Sequence, residues 1–234
     1  MIRHLGTLIT LIMAGIVCLA AQEPDAAQVV RGIDQAVQAR VENVAGFTDV
    51  EHYAVYRGTK EIHPAAEMTV RTTYHKGVGK SYEVLSQSGS VLIRRFGLLP
   101  LLDNEKTINL PGNVERSWFT SANYEMSLEP GGIQFINGRN CLALKITPKR
   151  KAPNAIAGTL WVDVKDYSIV QIDGVASQNP SLLAGTTHMM RQYANVKGYP
   201  MSTHARAESN SAFFGKTVVT IEYGDYELQL LPAH

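Results

Sequence analysis

The sequence predicts a mostly β protein with one long helix near its start. Three observations point there. Short segments in which apolar and polar residues alternate recur along the chain, with glycine, asparagine and proline turns between them. One early stretch instead repeats its apolar residues at every third or fourth position. A central stretch follows neither period and breaks the run of strands in two.

Residues 1–20 read as a secretory signal peptide, not as part of the fold. Arg3 and His4 make a basic start, residues 5–19 carry no charge, and polarity returns at Gln22, Glu23, Pro24 and Asp25. Cys18 and Ala20 supply the small pair before a cut after Ala20. The alternative, an uncleaved anchor helix, needs about 20 apolar residues, and this run is shorter. Val17 stands before Cys18, where the pattern of a lipid-modified cysteine has a small residue. Residues 21–234 are expected to form one domain.

The full chain of 234 residues has 22 Lys plus Arg and 21 Asp plus Glu. Cleavage after Ala20 takes away one base, Arg3, and no acid, so the remainder is neutral. A neutral chain lacks the concentrated positive charge that nucleic-acid binding requires. Only Cys141 is left of the 2 cysteines, so stability must come from a core and not from an internal disulfide.

Residues 24–44 predict the helix. Ala27, Val30, Ile33, Val37, Val41 and Val44 form its apolar stripe, Pro24 and Asp25 suit its start, and Gly46 suits its end. Valines are weak helix formers, so the helix is expected to depend on packing against a sheet. Strands follow at 47–57, 67–75 and 80–86, separated by the turns Gly58-Thr59-Lys60 and Gly77-Val78-Gly79. The alternation in Met68-Thr69-Val70-Arg71-Thr72 buries one face and wets the other. Residues 91–123 predict short helices and irregular loop, broken at Gly97 and Pro100. Strands resume at 124–128, 132–136, 141–148, 158–163, 168–176, 187–196, 201–210 and 217–228. About eleven short strands with turns between them point to a meander, a sandwich or a barrel.

Within the second half, Gly158-Thr159-Leu160-Trp161-Val162-Asp163 is followed by Tyr167-Ser168-Ile169-Val170-Gln171-Ile172-Asp173-Gly174. This pair resembles the hairpin of the bacterial periplasmic lipoprotein carriers, the LolA-like fold shared by outer-membrane lipoprotein-sorting proteins and an envelope-stress regulator. There a Trp-Val/Ile-Asp strand turns through an Asp-x-Tyr corner into an Ile-Val-x-Ile-Glu/Asp-Gly strand. The segment from Asn137-Gly138 to Thr147-Pro148-Lys149 and the closing Thr220-Ile221-Glu222-Tyr223-Gly224-Asp225-Tyr226 are similar to the same family. The resemblance implies a half-open, strongly curved antiparallel β-sheet, with an N-terminal helix and short helices plugging the concave face. It also implies a cavity for acyl chains, a lid at residues 91–102, and a functional arginine on a strand lining the cavity, for which Arg57 and Arg71 are both candidates.

The expected ligand-binding residues are therefore Phe96, Leu98, Leu99, Leu101 and Leu102 of the lid, Arg57 or Arg71, and Trp161. The leucines have a plainer reading as ordinary core beneath a loop, and Trp161 as a packed strand residue. Lys149-Arg150-Lys151 is either a contact for anionic head groups or a solvated turn. His52, His63 and His75 lie near adjacent strands without the short spacings of a zinc site. No nucleophile elbow, phosphate loop or His-Glu-x-x-His motif is present, and no cofactor motif is found.

The expectation is thus a non-catalytic periplasmic carrier, monomeric, binding lipoprotein acyl chains or lipid and meeting inner- and outer-membrane transfer partners. A protein-binding envelope-stress sensor on the same fold and a periplasmic enzyme are the alternatives.

Overall fold

The protein is described here by a computed structural model covering residues 25–152, 154–178, 185–211 and 215–232. The predicted signal peptide and Cys18 lie outside the described residues. Helix α1 (Ala26–Asn43) begins at Asp25, whose carboxylate accepts the Ala27 N–H at 3.1 Å. Its buried side is Val29, Gly32 and Ile33, while Ala27 is exposed, so the stripe is rotated from the predicted one. Nor does it stop at Gly46: β1 starts at Val44, where a β-branched residue takes the extended conformation at once. At Gly32 an added Cβ would lie 2.2 Å from the Tyr167 ring, so the bare backbone lets the corner at Tyr167 press against α1.

Each of the eleven predicted segments is a strand. They are β1 (Val44–Arg57), β2 (Ala66–His75), β3 (Gly79–Gly89), β4 (Tyr124–Leu128), β5 (Gln134–Ile136) and β6 (Arg139–Pro148). The rest are β7 (Ile156–Asp163), β8 (Ile169–Ala176), β9 (Thr187–Val196), β10 (Tyr199–Ser211) and β11 (Gly215–Leu230). They form one sheet in the order β3-β2-β1-β11-β10-β9-β8-β7-β6-β4, with β5 pairing on β6. Every pairing is antiparallel, and the two ends do not meet, so the sheet is open. Register shifts interrupt β1–β11, β9–β10, β2–β3 and β7–β8; such bulges bend strands and increase their twist.

A line of directly opposed residues shows which face is covered. It runs Met68, Tyr53, Ile221, Ala205, Arg191, Ile172, Leu160, Leu144 and Leu128, from β2 to β4. Residues opposed across a ladder share a face. Val29 and Ile33 of α1 pack at one end of that face, on Leu144, Leu160 and Ile172. Leu98 and Leu102 of the central segment pack at the other, on Tyr53, Met68, Ile221 and Ala205. Both helical covers therefore lie on one side of the sheet, which is the open, helix-plugged β-sheet that the resemblance implies.

The central segment departs from the predicted breaks. It is helical without interruption through 91–108, as α2 (Val91–Ile93), a π-helical turn (Arg94–Leu98) and α3 (Leu99–Ile108). Ser90 caps its start, accepting the Ile93 N–H. Pro100 has no N–H and would crowd the carbonyl four residues back in a tight α-turn. The wide turn, closed by the Leu99 N–H on the Arg94 carbonyl, absorbs that conflict, so the helix passes Gly97 and Pro100 intact.

Candidate functional site

The face under helix 91–108 has an apolar outer part. Tyr53 and Val55 of β1, Ala66, Met68 and Val70 of β2, Ala205 and Ile221 meet Leu98 and Leu102 there. The predicted lid residues divide by the helical period. Leu98 and Leu102 are 1% and 4% exposed, and Leu101 packs partly against the same cluster. Phe96 is 70% exposed and Leu99 41%, alongside Val91 at 64% and Leu92 at 68%. The helix is thus apolar on both sides, with Arg95 lying 5.6 Å from the centre of the Phe96 ring.

The predicted arginines and the tryptophan are not brought together. Arg71 points to the uncovered face, where its guanidinium lies 3.0 Å from Glu83. Arg57 shares the alternation of Val55 but is exposed at the end of β1. Trp161 sits half-buried on the uncovered face and donates its indole N–H to Gln134 at 2.8 Å. The basic turn is partly engaged: Lys149 donates to the Ser121 carbonyl at 2.7 Å and Arg150 to Asn123 at 3.1 Å. Arg150 and Lys151 line a cleft of about 350 Å³ with Arg116 and Asn113.

The inner part of the covered face is charged. Glu51, 1% exposed, follows Asp49 and precedes Tyr53 on one side of β1. Tyr53 donates its hydroxyl to the Glu51 carboxylate. Lys80, from the start of β3, lies 3.6 Å from Glu51 and 3.6 Å from Glu105 of α3. Glu105 also reaches Arg191 of β9 at 4.0 Å. One helical carboxylate thus bridges the sheet edge to a strand five places away in the strand order, across the concave side.

Burial by itself would lower the Lys80 pKa, but Glu51 and Glu105 beside it hold it well above the ordinary lysine value. Burial likewise opposes ionisation of Glu105, and Lys80 and Arg191 overcome it to hold that carboxyl below the usual range. Burial raises the hydroxyl pKa values of Tyr53, Tyr82 and Tyr223 around the cluster, so these remain neutral.

Asp49 stands apart from this pairing. It is 2% exposed, and neither carboxylate oxygen meets a hydrogen-bond donor in good geometry among the described residues. Directly opposite on β2 is Thr72, 0% exposed, whose hydroxyl also lacks a partner there. Opposite Thr72 on β3 is Tyr82, whose buried hydroxyl is the third. Burial first, and the Glu51 charge second, push the Asp49 pKa up to about 7, against the pull of Lys80 and of the Tyr226 hydroxyl beside it.

Alternation carried the signal for part of this cluster. Phe47, Asp49, Glu51, Tyr53 and Val55 occupy every second place in β1, so two acids fall on a face whose other members are buried. Reading that strand only as a strand misses them.

No established protein family matches this sequence, and no curated protein does. Solved structures resemble it in overall course. A domain assigned as an outer membrane lipoprotein-sorting protein from Vibrio parahaemolyticus is 16% identical, with 87% of this chain and 93% of that chain covered and a TM-score of 0.49. A LolA superfamily protein from Nitrosomonas europaea is 14% identical over 89% of this chain and 96% of its own, with a TM-score of 0.45. A DUF1329 family protein from Desulfovibrio piger is 13% identical over 86% and 93%, with a TM-score of 0.42.

Proposed function

We propose that this chain is a non-catalytic periplasmic carrier that holds the acyl chains of a lipid or lipoprotein between the sheet and helix 91–108. The observation that carries the reading is the helix itself. It rests on the sheet through Leu98 and Leu102 and turns Val91, Leu92 and Phe96 to solvent. Exposed apolar residues that sit together on one element mark a surface for a partner or an apolar ligand. Swinging the helix outward would offer an incoming chain the apolar face now occupied by two leucines. Each methylene buried there is worth about 0.8 kcal/mol, so a long acyl chain suffices to hold the helix open. The carrier acts as a monomer, taking cargo from an inner-membrane partner and giving it to an outer-membrane one. Arg57, at the end of β1, remains a proposed contact at the rim of this arrangement, and Trp161, on the uncovered face, takes no part in it.

The test is titration of the purified protein with a fluorescent fatty acid, followed by native mass spectrometry of protein taken from the envelope fraction. One acyl ligand per chain, displaced by unlabelled fatty acid, is expected. A protein that carries no acyl species and binds no fatty acid would sink the reading.

A further inference from the structure

Asp49, Thr72 and Tyr82 form a transverse row on three neighbouring strands, β1, β2 and β3. All three present buried polar atoms without a full hydrogen-bond partner among the described residues, with the Tyr226 hydroxyl beside Asp49 favouring its charged form. A buried polar group without a partner costs free energy, and a carboxylate most of all. Three such groups in register are a built arrangement, not an isolated lapse in packing.

Charge indicates what would satisfy them. Lys80 and Arg191 make their ion pairs with Glu51 and Glu105, so Asp49 feels Lys80 only at a distance and has no direct ion pair among the described residues. A carboxylate accepts hydrogen bonds and donates none, and both hydroxyls can accept as well. A primary ammonium has three N–H donors and one positive charge, so it meets three acceptors and the unmatched carboxylate together. The row lies beside the end of α3: Lys106 stands over the Tyr82 ring at 5.8 Å, and an added Cβ at Gly79 would lie 3.2 Å from the Asn109 carbonyl. The apolar cluster under Leu98 and Leu102 adjoins it along the same strands, with Glu51 following Asp49 and Tyr53 following Glu51.

Resting on the carrier reading, we infer that Asp49, Thr72 and Tyr82 form a head-group subsite, which selects amphiphiles bearing a primary ammonium over those bearing an anion. The acyl chain lies on the apolar cluster and the ammonium reaches the row.

Isothermal titration at pH 8 with dodecylamine and with dodecanoate, each below its micelle concentration, tests this. Dodecylamine is expected to bind at least tenfold more tightly than dodecanoate. Asp49→Asn should remove that preference while dodecanoate still binds, and Thr72→Val should weaken dodecylamine several-fold. Ethanolamine alone should bind far more weakly than dodecylamine; equal binding would make the row a free-amine site and overturn the amphiphile assignment. Equal affinities for the two amphiphiles, or a preference untouched by both substitutions, would overturn the subsite and leave the acyl carrier standing. Binding of neither amphiphile would overturn the carrier and the subsite together.

Discussion

Asp49 sets a pH dependence that falls near neutrality. Its pKa of about 7 lies above the ordinary 3.8, so the folded protein resists the ionised form. The stability tied to its proton is fully present below pH 3.8 and is lost as pH rises through 7. Between pH 5 and pH 8 the loss is on the order of 2–3 kcal/mol, at 1.36 kcal/mol per pKa unit. Asp49→Asn keeps the shape and never ionises. Urea unfolding at the two pH values should therefore show a falling midpoint for the wild type and a flatter one for the variant. An identical fall in both would show that the carboxylate is not the group responsible. Single residues were also where the sequence was least informative. The spacing of β1 shows that Asp49 and Glu51 share a buried face. It cannot show that Lys80, Glu105 and Arg191 meet them, because those come from β3, α3 and β9.

At the scale of elements, the strands were legible because their limits are set locally, by glycine and asparagine turns. Tyr124–Leu128 and Thr187–Val196 match the predicted ranges at both ends. The insert was legible as helical but not as one continuous helix. Gly97 and Pro100 are breakers in isolation, but the π-helical turn accommodates the proline and packing on Tyr53 and Met68 rewards the continuous helix. The two sides of that helix should respond differently to substitution. Leu98→Ala is expected to cost about 2–5 kcal/mol, as for buried leucines generally. Phe96→Ser should change stability by no more than about 0.5 kcal/mol, as at exposed sites, yet weaken fatty-acid binding. Chemical denaturation and fatty-acid titration of both variants measure this. A large stability loss in Phe96→Ser would mean that the outward side is covered in solution.

For the whole molecule, the strand pattern left a meander, a sandwich or a barrel open, the resemblance narrowed these to one curved antiparallel sheet, and neither gave the strand order. Local turns place β2 beside β3, β7 beside β8 and β10 beside β11, whereas nothing local pairs β11 with β1. That pairing joins Val44 to Leu230 and Arg57 to Thr217, and it alone connects the β1–β3 group to the β4–β10 group within the sheet. Deleting β11 should therefore abolish cooperative unfolding and not just lower its midpoint. Circular dichroism and tryptophan fluorescence, from Trp118 and Trp161, should give coincident transitions for the full chain and a broad, separated pair without β11. A sharp common transition in the shortened chain would refute this. The same placement governs assembly in time. A chain made from its N-terminus has β1 (Val44–Arg57) long before β11 (Gly215–Leu230), so one edge of the β1–β2 hairpin waits for a strand made much later. Contacts so distant in sequence make folding slow, and the waiting edge is open to the wrong neighbour. The centre of this sheet is the part completed last.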